Sequence, residues 1–231
     1  MSSLHLLSGG AAQGLVSQVQ SRFYSEAGRA IEAAYGAVGL MRDKFLAGNP
    51  CDVIILTQAQ IDDLTHAGLV LSDSARPLGI VKTGVAVKTG EAHPRVDSPE
   101  ALKAALLAAT GIYFPDSVKS TAGIHFMSLL KKLGIDAQVA SRLRTFPNGA
   151  TAMRELAQAR QTGLIGCTQV TEILFAPGVD LVARLPAELE LATVYTAAVC
   201  TQSEQPQAAT MLIDLLASPQ ALPLRRSAGF E

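Results

Sequence analysis

Between Tyr113 and Gly134 the chain reads YFPDSVKSTAGIHFMSLLKKLG, an apolar strand that breaks into a polar loop and opens directly into an amphipathic helix. Lys119 offers a positive charge, Ser120 and Thr121 offer hydroxyl donors, and Gly123 permits close backbone approach. The N–H groups of the helix's first turn point the same way, and the helix dipole adds roughly half a positive charge at that end. This is the chemistry of anion capture, although a plain helix cap at Ser120 or Thr121 accounts for the same residues. Turns of similar make-up recur at Ser8-Gly9-Gly10, at Gly36-Ala37 and at Thr168-Gln169, with Lys82 and Lys88 as further cations.

Other chemistries find less support. His5, His66, His93 and His125 show no ligand spacing, and Cys51, Cys167 and Cys200 lie far apart with no CxxC, so no metal site is expected. The cysteines read as reduced thiols packed like small hydrophobes. There is no G-x-S-x-G elbow, no Walker loop and no G-x-G-x-x-G, which argues against nucleophilic hydrolysis and nucleotide binding, and no cofactor is implied.

These residues sit in a chain of 231 residues that is 48% hydrophobic and 17% charged, enough apolar content for one large or two small packed domains. The 19 basic and 20 acidic residues leave a net charge of −1, and no basic run marks a nucleic-acid or membrane face. Any anion must therefore be held by local donors. No apolar run approaches the ~18 residues of a membrane span, so no membrane insertion is expected. MSSLHLLSGG carries no basic leader or signal-type apolar stretch, which predicts a cytoplasmic protein as the chain is written and a periplasmic one if a leader was removed.

The elements that must position these residues follow from periodicity. A strand at 4–7 leads through Ser8-Gly9-Gly10 into a helix to about Ala27, with Leu15, Val19 and Phe23 on one face. A strand at 30–34, a loop at 35–39 and a helix at 40–47 follow, then the β-branched strand 52–56 and a helix at 58–67. Residues 79–90 read as a long strand, and 98–109 as an alanine-rich helix capped by Ser98 with Pro99 at its first position. A strand at 111–114, the loop-opened helix to Gly134, a helix at 150–161, a strand at 162–167, a strand at 192–199 and a helix at 207–216 complete the pattern. Alternating strands and helices predict parallel sheets with ligand residues at the strands' carboxyl ends. The fold class is α/β: two Rossmann-like lobes, residues 1–80 with 196–231 and residues 81–195, joined by two crossing hinge strands near 80–88 and 192–199. The cleft between such lobes is the default ligand site.

Several segments, in order along the whole chain, resemble the periplasmic molybdate-binding proteins and the wider group of type 2 solute-binding proteins. Leu46-Ala47-Gly48-Asn49-Pro50-Cys51-Asp52-Val53 is similar to that family's helix-end signature, and Phe114-Pro115-Asp116 through Thr121-Ala122-Gly123-Ile124 is similar to its loop of the form DP…PAG. Lys131-Lys132-Leu133-Gly134 and Leu216-Ala217-Ser218-Pro219-Gln220-Ala221 with Gly229-Phe230 resemble the ends of its helices and its tail. The resemblance implies a type 2 periplasmic-binding-protein fold, a small anionic ligand, and an ABC transporter permease as partner if the chain is exported. Molybdate binders of this family use a serine after the first strand, a serine after the second, and a tyrosine near a late strand of the second lobe. Ser8 stands at the first of these. Tyr35-Gly36-Ala37-Val38-Gly39 holds no serine and Gly166-Cys167-Thr168-Gln169 no tyrosine, which leaves the backbone amides at Gly9, Gly10, Gly36 and Ala37 to cup the anion.

The phrases GIVKTGVAVKTGEAHP, SPEALKAALLAA, TEIL, LPAEL and TVYTAAV resemble a branch that includes aconitate isomerases. That resemblance implies proton transfer beside a carboxylate, for which an enzyme needs a base, an acid and nearby cations. His125, Glu172 and Asp116 are the candidates, each with a plainer reading as a core or surface histidine, a first-turn carboxylate and a turn-closing side chain. Tyr35 and Tyr195 line the cleft or pack the hinge. The expectation is a binding protein for an oxyanion or polycarboxylate, holding it through Ser8, Gly9, Gly10, Gly36, Ala37, Lys119, Ser120, Thr121, Thr168 and Gln169, with tricarboxylate isomerisation as the alternative.

Overall fold

The run LHLLSG forms strand β1, Leu4–Gly9, in a computed structural model that describes residues 3–231; the reading of the chain's start at Met1 and Ser2 lies outside the described residues. Helix α1, Gln13–Ala27, follows a short turn and buries Leu15, Val16, Val19 and Phe23. It stops at Gly28, whose φ of 65° puts it in the left-handed region while its N–H closes on the Tyr24 carbonyl. Strand β2, Ile31–Gly36, helix α2, Val38–Leu46, strand β3, Val53–Thr57, and helix α3, Gln58–His66, continue the alternation.

The long strand β4, Arg76–Lys88, then leads into α4, Pro99–Ala108, β5, Gly111–Pro115, α5, Thr121–Lys132, and the single turn α6, Asp136–Val139. Strand β6, Leu143–Phe146, helix α7, Gly149–Gln158, strand β7, Leu164–Gln169, helix α8, Val170–Phe175, and strand β8, Val179–Arg184, come next. Strand β9, Ala192–Val199, and helices α9, Pro206–Ala217, and α10, Leu222–Ser227, close the chain.

The chain divides into two compact units, the first ending at Val81 and resuming at Thr193, the second Lys82–Ala192. In the first, the strands run β2-β1-β3-β9, with β1 parallel to β2 and β3 and β9 antiparallel to β3. Ile54, Ile55 and Leu56 of β3 are wholly buried, as the unbroken β-branched run requires of a central strand, and α1 packs against α9, with Leu15, Phe23, Leu212 and Leu216 buried in the same core.

In the second unit β7 pairs in parallel with β5, and β5 with β6, while β4 is antiparallel to both β7 and β8. Separate apolar clusters form around Leu102, Phe114, Phe126 and Leu130, and around Met153, Leu156, Leu164 and Ile173. The expectation of all-parallel sheets is therefore corrected. A chain that leaves one unit and returns to it brings β9 back against the direction of β3, and β4 likewise opposes its neighbours. Strands β6 and β8 were not expected: β6 is short and half exposed, and β8 follows a turn at Gly178, φ 83°, that masks its alternation.

Candidate functional site

In the first unit, the pairing of β1 with β2 sets Ser8 opposite Tyr35 and Gly9 opposite Gly36. The two strand ends thus deliver Ser8-Gly9-Gly10 and Gly36-Ala37 side by side. The glycines are there for packing: a Cβ on Gly9 would stand 2.7 Å from Val38 Cγ1 and 3.1 Å from Tyr195 Cε1, and one on Gly36 would stand 2.7 Å from Met41 Cε. Without them α2 could not seat on the strand ends. Ala37 is the N-cap of α2, and neither it nor Gly9, which precedes the turn at Gly10, offers a side chain to the first-turn amides. By contrast Thr57, at the end of β3, caps α3 by accepting from the Gln60 N–H at 3.4 Å. Ser8 is fully buried, and its hydroxyl donates to the Gly9 carbonyl at 2.9 Å.

In the second unit, Lys119 is exposed and Ser120 is buried as the N-cap of α5, where its side chain makes no cap bond. Thr121 begins the helix. The Asp116 carboxylate accepts from the Val118 N–H at 2.8 Å and the Lys119 N–H at 2.6 Å, so it closes the loop, as its turn-forming reading requires. Gly123 has a different reason from the one expected. A Cβ there would lie 2.1 Å from the Asp116 carbonyl oxygen and 2.3 Å from that of Pro115, so the glycine lets α5 pack on its own loop.

Thr168 and Gln169 end β7 and are both buried. The Thr168 hydroxyl donates to Glu172 Oε2 at 2.5 Å. Glu172, only 5% exposed, also accepts from the backbone N–H groups of Gly149, Ala150 and Gln169, so its carboxyl group lies against the start of α7. Burial pushes its pKa above the ordinary carboxylate range, more than these donors lower it. Gly149 makes the arrangement possible: a Cβ there would fall 1.9 Å from Glu172 Oε2 and 2.1 Å from Thr168 Oγ1. Sequence reading missed this cradle. Its signal is Asn148-Gly149, where Asn148 Oδ1 accepts from the Thr151 N–H at 2.8 Å and caps α7.

The remaining candidates are held by structural contacts. His125 Nε2 is hydrogen-bonded to the Leu189 carbonyl at 2.8 Å. Lys82 pairs with Glu190 at 2.8 Å, and Lys88 donates to the Ala159 and Gln161 carbonyls, both at 2.9 Å. Tyr195 is buried edge-on against Phe230, and burial pushes the Tyr35 hydroxyl up to about 12. Among the described residues no group of three or more His, Cys, Asp or Glu is placed to hold a metal ion.

The whole arrangement can be compared with known proteins. An aconitate isomerase from a Pseudomonas species is 26% identical over 240 residues, covering all of this chain and 88% of that protein. The periplasmic molybdate-binding protein of Azotobacter vinelandii superposes with a TM-score of 0.80 at 18% identity over 99% of both chains. The sulfate-binding protein SubI of Mycobacterium tuberculosis superposes with a TM-score of 0.75 at 18% identity, over 100% of this chain and 86% of that one. These likenesses establish the type 2 periplasmic-binding-protein fold. The model for bacterial extracellular solute-binding proteins matches residues 4–231, and the chain belongs to that family.

Proposed function

We propose that this solute-binding protein takes a small anion, an oxyanion or a polycarboxylate, and that the strand-end loops supply the donors. The observation that carries the reading is the uncapped state of the turn at Gly10 and of the helix starts at Ala37 and Ser120, each directly after a strand or its loop, where the capping residue's side chain makes no bond to the first-turn amides. Ser8, Gly9, Gly10, Gly36 and Ala37 belong to one set and Lys119, Ser120 and Thr121 to the other. Thr168 and Gln169 fit less directly, because the Thr168 hydroxyl is already given to Glu172. The family and its transporter-associated relatives support an extracytoplasmic site of action with an ABC permease as partner.

A ligand that binds the folded state raises its melting temperature, by about 2.7 kcal/mol of stabilisation at a concentration a hundredfold above Kd. Thermal melts against molybdate, tungstate, sulfate, phosphate and a panel of di- and tricarboxylates should yield at least one stabilising anion. Lys119→Ala should then weaken it about tenfold in calorimetry, the loss of one charge-assisted contact. An unchanged affinity removes Lys119 from the site.

The likeness to an aconitate isomerase supports a second reading, in which the anion is a tricarboxylate whose double bond is moved. Binding without chemistry is the better fit, because Asp116 closes its own loop, His125 holds a carbonyl and Glu172 is enclosed by its donors. Incubation with cis-aconitate followed by NMR decides the matter: growth of the trans isomer favours the enzyme.

A further inference from the structure

Cys51 and Cys200 are 149 residues apart in sequence, yet their sulfurs lie 3.4 Å from each other. Cys51 immediately precedes Asp52 and β3, and Cys200 immediately follows β9. The backbone on both sides is fixed: Val53 pairs with Val199, the Cys200 N–H donates to the Asp52 carbonyl at 2.9 Å, and Cys200 bridges Val70. Asp52 is anchored in turn, its carboxylate accepting from the His5 N–H at 2.8 Å and the Ser203 hydroxyl at 2.6 Å. A bonded pair of sulfurs is about 2.05 Å apart, so closure needs an approach of roughly 1.4 Å between sulfurs already in contact.

We propose that Cys51 and Cys200 form an intramolecular disulfide that staples the first unit when the chain meets an oxidising disulfide. The unit is built from two stretches of chain separated by the whole second unit, and this bond joins one stretch to the other. The step balances by thiol–disulfide exchange. The thiolate of Cys51, the half-buried member of the pair, attacks a small disulfide, forms a mixed disulfide and releases one thiolate. The Cys200 thiolate then attacks the Cys51 sulfur and expels the second thiolate. Two protein thiols are oxidised, one disulfide is reduced to two thiols, and the protons pass between the thiols and solvent. In the reduced pair the Cys200 thiol is held well above its ordinary value, first by its hydrogen bond to Cys51 and then by burial. Conversion of Cys51 to a mixed disulfide removes the charge it could carry and with it part of that hold. The occurrence of the bond in the cell rests on the extracytoplasmic reading above, since such compartments keep disulfides; its chemistry does not.

Oxidised glutathione added to the purified, reduced, native chain is the probe. The expected result is a mass lower by about 2 Da and a thiol count under denaturing conditions that falls from three to one. Cleavage after Lys and Arg, except before Pro, places Cys51 in Phe45–Lys82, Cys167 in Gln161–Arg184 and Cys200 in Leu185–Arg225, so the first and last peptides should run joined until reduced. Cys167→Ser should leave the bond intact, while Cys51→Ser and Cys200→Ser should each abolish it. The oxidised chain should melt about 5 °C or more above the reduced one, because a long unfolded loop is closed. Three remaining thiols, glutathione retained on Cys51 without closure, or a bond involving Cys167 would each overturn the proposal. The wild-type mass and peptide map decide it even if a serine variant fails to fold. They do so whatever anion the chain binds.

Discussion

Glu172 is the residue whose environment departs furthest from its sequence appearance. It reads as a first-turn carboxylate on a short helix, but it sits buried against the start of α7 with Thr168 and three backbone amides as donors. A pKa raised on folding means that the protonated form is favoured in the folded state. The associated stability is complete below the unfolded value of about 4.3 and is lost as pH rises through the folded one. Glu172→Gln should therefore flatten the fall in melting temperature across that window, measured as melts against pH; an unchanged slope would assign the pH dependence elsewhere. Gly149→Ala should cost about 2 kcal/mol or more, since its Cβ would meet Glu172 and Thr168 at contact distances no real Cβ shows. Glu172→Ala in the same chain should recover part of that loss. The placement of Lys119, Ser120 and Thr121 at a helix start was legible because loop and helix lie within one stretch of sequence. The contact between Glu172 and Gly149 was not, because it joins two helices through space.

Helix starts divide into two kinds. Thr57, Ser98 and Asn148 bond the amides of α3, α4 and α7 with their own side chains, whereas α2 and α5 begin at Ala37 and Ser120 without such a bond, as do α1, α6, α8, α9 and α10. Ser98→Ala should cost about 1 kcal/mol in denaturant unfolding, the usual loss of a cap. Ser120→Ala should change stability by less than ~0.5 kcal/mol, yet it should weaken the anion in calorimetry if the hydroxyl serves a ligand. The long elements were readable from pattern alone: α1 by its apolar face, β3 by its β-branched run, α4 by Ser98-Pro99. Strands β6 and β8 were not, because an edge strand of four residues and a strand after a tight turn take their identity from the neighbours they pair with.

Each unit has its own apolar core, and Phe23 is among the largest side chains wholly buried in the first. Phe23→Ala should cost about 3–5 kcal/mol and lower the melting temperature by roughly 2–4 °C per kcal/mol, read in a thermal melt. The amino-acid sequence was enough to specify an α/β chain with strand-end loops of glycine and hydroxyl residues, because hydrophobic period and turn chemistry are local properties. It carried the family likeness for the same reason. Only the tertiary structure decided which strands run antiparallel, at which glycines packing leaves no room for a side chain, and that Cys51 and Cys200 touch. The strand directions, the contacts of Gly9 with Val38 and Tyr195, and the cysteine pair depend on residues far apart in the chain, brought together by burial of side chains whose partners no short window of sequence contains.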